Sequence, residues 1–196
     1  VSVSHLVVPP DLNELASQLR GSCRPQGRID IDSSTTAGGV TWPNACHLCE
    51  VEVDPNTGET EVVAYSSVND IGRVISPVIV RGQLDGGAVQ GIGQALNELV
   101  VYEDQGGQLL TGSLMDYAVP HADVMHVDFN THTDESIPCK TNILGVKGVG
   151  ELGTIGATPA VVNAVADALA RHGRGELAPR LQMPLTPSRL WSMLQG

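Results

Sequence analysis

Residues 145–161 read GVKGVGELGTIGATPAV, and the arrangement of the rest of the chain depends on this stretch. Five glycines fall within twelve residues, and one carboxylate, Glu151, stands among them. Glycine is unfavourable inside helices and strands, because it loses more conformational freedom on folding than any other residue. The run therefore predicts a bare main chain that another group approaches closely, with a single acid at its centre.

Composition restricts the classes of protein to be considered. Of the 196 residues, 41% are apolar and 17% are charged, which is typical of a packed globular core. The formal net charge of −11 argues against binding to nucleic acid or to an anionic membrane. We expect no membrane span, since no apolar run approaches about 18 residues, and we expect a cytoplasmic protein. Because the chain opens with Val1 in a strand-like stretch, we expect it to be a piece of a longer polypeptide.

The secondary-structure pattern predicts an α+β fold, because strands and helices do not alternate regularly along the chain. Two alternating runs joined by the turn PNTG indicate a β-hairpin. Thr158 and Pro159 have the residue types of a helix N-cap and first helical position, and Gly173 suits the C-terminal end. The predicted elements are a helix at residues 11–19, a loop at 21–39, strands at 45–54 and 59–68, a helix at 78–101, extended chain at 109–125, a strand at 126–129, a helix from Thr158 to Gly173, and a short helix that starts at Pro187.

Cys46 and Cys49 form a CxxC pair, which raises the question of a metal site. A structural zinc site needs a second pair of ligands, and the sequence offers no obvious one. Strand positions three apart also point to opposite faces of a sheet. We therefore expect buried, reduced cysteines and no protein-ligated metal.

The predicted helix at 78–101 contains five glycines, each of which costs about 0.5–1 kcal/mol relative to alanine in a helix interior. That loss implies a compensating close approach of another backbone or of a ligand. Gln83, Gln90 and Gln94 lie among these glycines, and an amide offers a donor and an acceptor together. Such amides suit a heterocycle with mixed edges, such as a pterin; the alternative is that they are exposed helix residues. The five glycines are Gly82, Gly86, Gly87, Gly91 and Gly93.

Glu151 lies in a run with few other charges, and partial desolvation there would suit it to work as a general base. The alternative is a solvent-facing loop acid. Residues 148–153 also have the letters GxGxxG, which can indicate a phosphate site at a helix start. A carboxylate at Glu151 would repel phosphate, and no P-loop pattern is present.

Four segments occur together in a recognisable order: WPNACHLCEVEVDPNTGETEV, NDIGRVISPVIVRGQLDGGAVQGIGQAL, GSLMDYAVPHAD and GVKGVGELGTIGATPAVVNAV. Together they resemble the C-terminal molybdenum-cofactor-binding region of the large subunit in the xanthine dehydrogenase/aldehyde oxidase family. The resemblance covers about residues 41–172. It implies that residues 1–196 are the C-terminal portion of a molybdopterin-binding domain, with a mixed sheet and packed helices.

The resemblance also implies a function and the residues that serve it. The enzyme would be a molybdenum hydroxylase that acts on an aldehyde, an N-heterocycle or a small substrate such as CO, with water-derived oxygen and Glu151 as general base. Its cofactor would be molybdopterin cytosine dinucleotide. The residues implied to contact it are Gln83 and Gln90 at the pterin, Gly148, Val149 and Gly150 near the metal, and Gly72 and Arg73 near the dinucleotide.

The same resemblance implies partners, because the family's first cofactor-binding half and its cysteine clusters are missing from this sequence. We expect an N-terminal molybdenum-binding half or subunit, an iron–sulfur subunit and an FAD subunit, and no catalysis by the chain alone. One alternative is a non-catalytic cofactor-binding or assembly module that keeps the fold. Another is a dinucleotide binder that uses the glycine-rich helix alone.

Overall fold

The structure, a computed structural model, describes residues 38–122 and 127–196. The predicted helix at 11–19 and most of the predicted loop at 21–39 lie outside these residues. In chain order the elements are β1 (Asn44–Val53), β2 (Thr60–Asp70), α1 (Pro77–Leu96), β3 (Asp128–Asp134), α2 (Leu152–Arg171), a 3-10 helix (Gly175–Arg180) and α3 (Pro187–Gln195).

The predicted hairpin is confirmed by antiparallel pairing of β1 with β2. Gly58 takes a positive φ of 74° in the connecting turn, a conformation that glycine adopts without steric cost. Its amide donates to the Asp54 carbonyl at 2.7 Å. A side chain at Gly58 would also overlap the main chain of Pro187, so the turn packs closely on the start of α3.

The sheet is mixed, because β3 joins the free side of β2 in parallel. This confirms the predicted α+β class. The strand predicted at 126–129 is realised as β3, which runs further, to Asp134, while the predicted start at residue 126 lies outside the described part of the chain. Residues 114–116, within the stretch predicted to be extended, instead form a turn, since the amides of Asp116 and Tyr117 both donate to the Ser113 carbonyl.

The core lies between one face of the sheet and the two long helices. Tyr65 of β2 is 1% exposed beneath them, whereas Val68 on the opposite face is 52% exposed. Helix α2 is the one described helix long and apolar enough to cross a membrane by length and composition alone. Its apolar stripe is buried against α1 and the sheet, as in the core helix of a domain. The buried residues of that stripe are Ala157, Val161, Val165 and Leu169.

Helix α1 confirms the predicted long helix but ends earlier, at Leu96, because Asn97 and Glu98 both donate their amides to the Gly93 carbonyl at 2.8 Å. Pro77 stands at its start, where a missing N–H costs no helical hydrogen bond.

Helix α2 begins at Leu152 rather than at Pro159, so the predicted start was wrong. Pro159 lies inside the helix, and the Thr158 hydroxyl contacts α1 instead of capping α2. The first turns of α2 are stabilised by packing against α1, and not by the Thr158 cap that the sequence predicted. The end was correct, since Gly173 has a φ of +82° directly after the C-cap residue His172.

The CxxC pair points to opposite faces of the sheet, as predicted. Cys49 is half-buried on the helix side, and burial raises the pKa of its thiol to about 11. Cys46 is exposed, so the expectation of burial was wrong for this residue. In the described part of the chain no three His, Cys, Asp or Glu side chains form a group that could hold a metal ion.

Candidate functional site

The glycines of the two long helices fall into two groups, and the first group allows close packing against neighbouring segments of the protein. A Cβ at Gly153 would overlap the Leu84 carbonyl, and one at Gly91 would lie 2.7 Å from the Ala157 Cβ. At Gly156 a Cβ would overlap the His47 ring from β1. These absent side chains let α2 approach both α1 and the sheet.

The second group faces open space. No described atom lies within 4 Å of a Cβ built at Gly82 or Gly86. Both glycines are exposed on α1, beside the exposed Gln83 and Gln90. Contacts among the described residues therefore do not explain why these two positions lack a side chain.

The glutamines lie where the start of α2 meets α1. A Cβ at Gly150 would lie 3.8 Å from Oε1 of Gln83, so the glycine loop passes directly beside this amide. Thr154 Oγ1 lies 3.2 Å from Oε1 of Gln90 and 2.8 Å from the Gly87 carbonyl. Glu151 stands in sequence between these two points of contact with α1.

The loop before α2 is held against the connection between β2 and α1. Gly72 pairs with Val146 in an isolated β-bridge, and the Arg73 amide donates to the Gly145 carbonyl at 3.0 Å. The Lys147 ammonium donates to both carboxylate oxygens of Asp70 at 2.6 Å. These contacts fix the loop at its N-terminal side, while packing of α2 on α1 fixes its C-terminal side.

The Asp70–Lys147 pair should make stability depend on pH at the acid end. The hydrogen bond from Lys147 holds the pKa of Asp70 below its usual range. A carboxyl with a lowered folded-state pKa contributes stability above its unfolded pKa of about 4 and loses it as the pH falls through the folded-state value. We expect Asp70→Asn to destabilise the protein by about 2 kcal/mol at pH 7, since it leaves Lys147, whose side chain is only 8% exposed, without its counterion.

Urea unfolding at pH 7 and at pH 3 tests this expectation. The difference between wild type and Asp70→Asn should shrink at pH 3, and Lys147→Met combined with Asp70→Asn should cost less than Asp70→Asn alone. Equal destabilisation by Asp70→Asn at both pH values would show that the ion pair is not responsible.

Glu151 is exposed and is the N-cap residue of α2, but its side chain makes no capping hydrogen bond. No capping hydrogen bond therefore holds the carboxylate, although its negative charge suits the N-terminal end of a helix. Of the two interpretations left open by the sequence, the solvent-facing acid describes this chain, because the described residues leave Glu151 exposed. Any desolvation has to come from a group that covers this surface.

The structure brings some of the predicted site residues together and separates others. Gln83, Gln90, Gly150 and Glu151 lie along the α1–α2 junction, as described above. The neighbouring Gly148 is exposed, and its amide donates to the Thr41 hydroxyl at 3.3 Å, while Val149 is half-buried.

Gly72 and Arg73 occupy the other side of the loop. Gly72 is buried, and its positive φ of 62° and its contact with the Gly145 carbonyl explain why it is glycine. At this position the close approach is that of another protein segment. Arg73 is exposed beside it, so its side chain is accessible.

Sequence reasoning missed Thr154, Thr158, Asp70 and Lys147. The two threonines are four residues apart, as are Gln90 and Gln94. That shared spacing was the available signal, but it acquires meaning only when the two helices are known to cross. Nothing in the local sequence pairs Asp70 with Lys147, which is 77 residues away.

The model of the molybdopterin cofactor-binding domain family matches residues 6–126, which include all of α1. The chain belongs to the molybdopterin cofactor-binding domain family. The matched segment ends before Glu151, so the family match alone covers the glutamine-bearing helix and not the glycine loop.

Similarities to individual proteins cover more of the chain than the family match does. The gamma subunit of the 6-hydroxypseudooxynicotine dehydrogenase complex of Paenarthrobacter nicotinovorans is 41% identical over 169 residues, 86% of this chain and 20% of the relative. The crystal structure of quinoline 2-oxidoreductase from Pseudomonas putida 86 matches 74% of this chain and 18% of its own, with 40% identity and a TM-score of 0.65. A crystal structure of Cu,Mo-CO dehydrogenase matches 89% of this chain and 21% of its own, with 28% identity and a TM-score of 0.76. The chain thus spans about a fifth of the length of each of these relatives.

Proposed function

We propose that this chain forms one wall of a molybdopterin-cofactor site in a molybdenum-dependent hydroxylase, and that it acts as part of a larger oxidoreductase. The relatives named above include a dehydrogenase complex subunit, an oxidoreductase and a Cu,Mo enzyme. Their names supply the reaction class, and the family match supplies the kind of cofactor.

The observation that carries this proposal is the pair of open glycines on α1. Each glycine in a helix interior costs about 0.5–1 kcal/mol relative to alanine. At Gly91 and Gly153 close packing between helices explains that cost, whereas at Gly82 and Gly86 a Cβ would meet no described atom within 4 Å. A ligand that lies flat against the bare helix is the group that would need their small size.

The donor and acceptor groups beside these glycines suit such a ligand. Gln83 and Gln90 present exposed amides, which can hold a heterocycle edge that carries both donors and acceptors. Gly148 and Gly150, both exposed, add main chain without side chains on the α2 side. These residues fit a pterin, and the bound cofactor would supply the redox and oxygen-transfer chemistry.

Glu151 is proposed as the general base. Its carboxylate is exposed, makes no capping bond and stands in sequence between the Gln83 and Gln90 contacts. It would accept a proton from the oxygen nucleophile at the reacting end of the site, after other parts of the enzyme have covered this surface and excluded bulk water. Substrates of the proposed class are aldehydes, N-heterocycles or CO.

The remaining assignments belong to the same proposal. The cofactor is molybdopterin cytosine dinucleotide, with Gly72 and Arg73 on the dinucleotide side and Val149 in the loop near the metal. An N-terminal molybdenum-binding half, an iron–sulfur subunit and an FAD subunit complete a cytoplasmic enzyme. Analysis of metal and pterin in the complete complex, purified from its source, tests the proposal: absence of molybdenum and pterin would defeat it.

Substitution of the open glycines separates ligand binding from folding. We expect Gly86→Ala, and likewise Gly82→Ala, to stabilise the fold by about 0.5–1 kcal/mol, because alanine is the better helix former and meets no described neighbour. In the complete enzyme the same methyl group should reduce molybdenum and pterin content, because it fills space needed by the cofactor. Thermal unfolding of cofactor-free samples measures the first effect, because a bound ligand itself stabilises the fold, and metal analysis of the complete enzyme measures the second.

A matched control is Gly175→Ala, which adds the same methyl group at an exposed glycine of the 3-10 helix, where the nearest atoms lie at an ordinary contact distance of 3.5 Å. This variant should leave cofactor content unchanged. A Gly86→Ala enzyme that is more stable and retains its full cofactor content would refute the assignment of this helix face.

A further inference from the structure

Two threonine hydroxyls of α2 lie between main-chain carbonyls of α1 and the glutamine amides. Thr154 Oγ1 is 2.8 Å from the Gly87 carbonyl and 3.2 Å from Oε1 of Gln90. One helical turn later, Thr158 Oγ1 is 3.0 Å from Oε1 of Gln94 and 3.3 Å from the Gly91 carbonyl. The arrangement therefore repeats every four residues on both helices.

The single proton of each threonine hydroxyl determines the orientation of the neighbouring glutamine amide. A threonine hydroxyl has one proton to donate and two lone pairs that accept. Thr154 has an oxygen at both contacts, and the shorter contact, to the Gly87 carbonyl, takes the proton. The lone pair that then faces Gln90 requires an N–H. Because the oxygen and nitrogen of an amide are assigned from their hydrogen-bonding network, the consistent arrangement places Nε2 of Gln90 against Thr154 and Oε1 outward.

At Thr158 distance does not place the proton, because the shortest contact, 3.0 Å, is to the Gln94 amide itself, whose oxygen and nitrogen are interchangeable. The single proton of Thr158 faces three oxygens, since the Thr154 carbonyl is a further contact at 3.3 Å. Threonine inside a helix commonly donates to the carbonyl four residues earlier. Its lone pair then accepts from Nε2 of Gln94, and the oxygen of Gln94 turns outward as well.

We infer that Thr154 and Thr158 are positioning residues that turn the Gln90 and Gln94 amides so that both side-chain oxygens face outward as acceptors for N–H groups of a bound heterocycle. This inference rests on the proposed function, because it concerns the face of α1 assigned to the cofactor. It specifies the polarity of the hydrogen bonds at this edge of the site: the protein accepts them, and the ligand donates them.

The structural alternative is that the threonines only dock the two helices. The two roles are separable, because valine keeps the size of threonine and removes the hydroxyl, while serine keeps the hydroxyl. The glutamines are exposed, so their direction matters to a ligand and not to the core. A purely structural role would leave no coupling between Thr154 and Gln90 in cofactor binding.

The experiment uses the complete complex and measures the rate at which molybdenum and pterin are lost during prolonged dialysis. The variants are Thr154→Val, Thr154→Ser, Gln90→Met and the double variant Thr154→Val with Gln90→Met. We expect Thr154→Val to lose cofactor about five- to tenfold faster than wild type, as for one lost hydrogen bond. Thr154→Ser should behave like wild type, and Thr154→Val should add nothing in the Gln90→Met background.

Every outcome decides the inference. Wild-type retention by Thr154→Val, or the same acceleration in both backgrounds, overturns it while leaving the proposed function intact. If the Thr154→Val complex fails to assemble, the same comparison is made with Thr158→Val, Thr158→Ser and Gln94→Met. Failure of both valine variants to assemble, with normal assembly of both serine variants, assigns the hydroxyls to helix docking and also overturns it. A wild-type complex without molybdenum and pterin removes the proposed function itself.

Discussion

Replacement of Glu151 by glutamine is expected to lower the turnover of the complete enzyme by about 10²–10⁴-fold, the range typical of a lost general base. Glutamine has nearly the size of glutamate but cannot accept a proton at neutral pH. The Glu151 side chain makes no capping hydrogen bond and is exposed, so the substitution should cost the fold only the interaction of its charge with the helix N-terminus, about 0.3–1 kcal/mol. Molybdenum and pterin content should therefore remain near wild type, and steady-state kinetics on cofactor-matched samples would measure the loss.

A matched control is Glu61→Gln, an exposed carboxylate on β2, which should leave turnover unchanged. Normal turnover in Glu151→Gln would remove this residue from the proton-transfer step. Loss of cofactor together with turnover would instead assign Glu151 to binding.

The second large effect concerns the contact between the two long helices. Gly153→Ala is expected to destabilise the protein by about 3 kcal/mol, at the upper end of the usual cost of overpacking. The new Cβ would overlap the Leu84 carbonyl and lie 2.8 Å from the Ala88 amide nitrogen. Both atoms belong to the backbone of α1, which cannot move aside as a flexible side chain could, so the helices would have to separate.

Urea unfolding provides the measurement, with Gly86→Ala as the comparison because it makes the same chemical change on a helix surface. The two substitutions should have opposite signs, since alanine is favoured over glycine wherever it fits. A Gly153→Ala protein at least as stable as wild type would mean that the helices do not cross at this point.

Much of the fold could be predicted because its signals are local. The hairpin follows from alternation around a glycine turn, and the end of α2 follows from Gly173. The start of α2 could not be predicted in this way, because Leu152 begins a helix for reasons of packing. A threonine–proline pair that suits a helix start therefore lies inside the helix, at positions where the docked α1 holds the chain.

The candidate site, like the fold, could be predicted only where the signal is local in the sequence. Gln83, Gln90 and the acid among the glycines could be selected from the sequence, because repeated glycines are unusual in a helix and these polar residues lie among or beside them. The reason for each glycine could not, since Gly86 and the adjacent Gly87 face open space and the neighbouring helix respectively. Only the crossing of the helices distinguishes them. Lys147 was missed because its partner is remote in the chain.

Helix α1 belongs both to the hydrophobic core and to the proposed ligand wall, with neighbouring residues assigned to opposite sides. Engineering of a new ligand preference therefore has few usable positions on it. Larger side chains at Gly87 or Gly91 would force the helices apart. Substitutions that change ligand preference are therefore best placed at Gln83, Gln90 and Gln94 and in the loop that precedes α2. Libraries confined to those positions should yield a much higher proportion of folded variants than libraries that sample the whole helix.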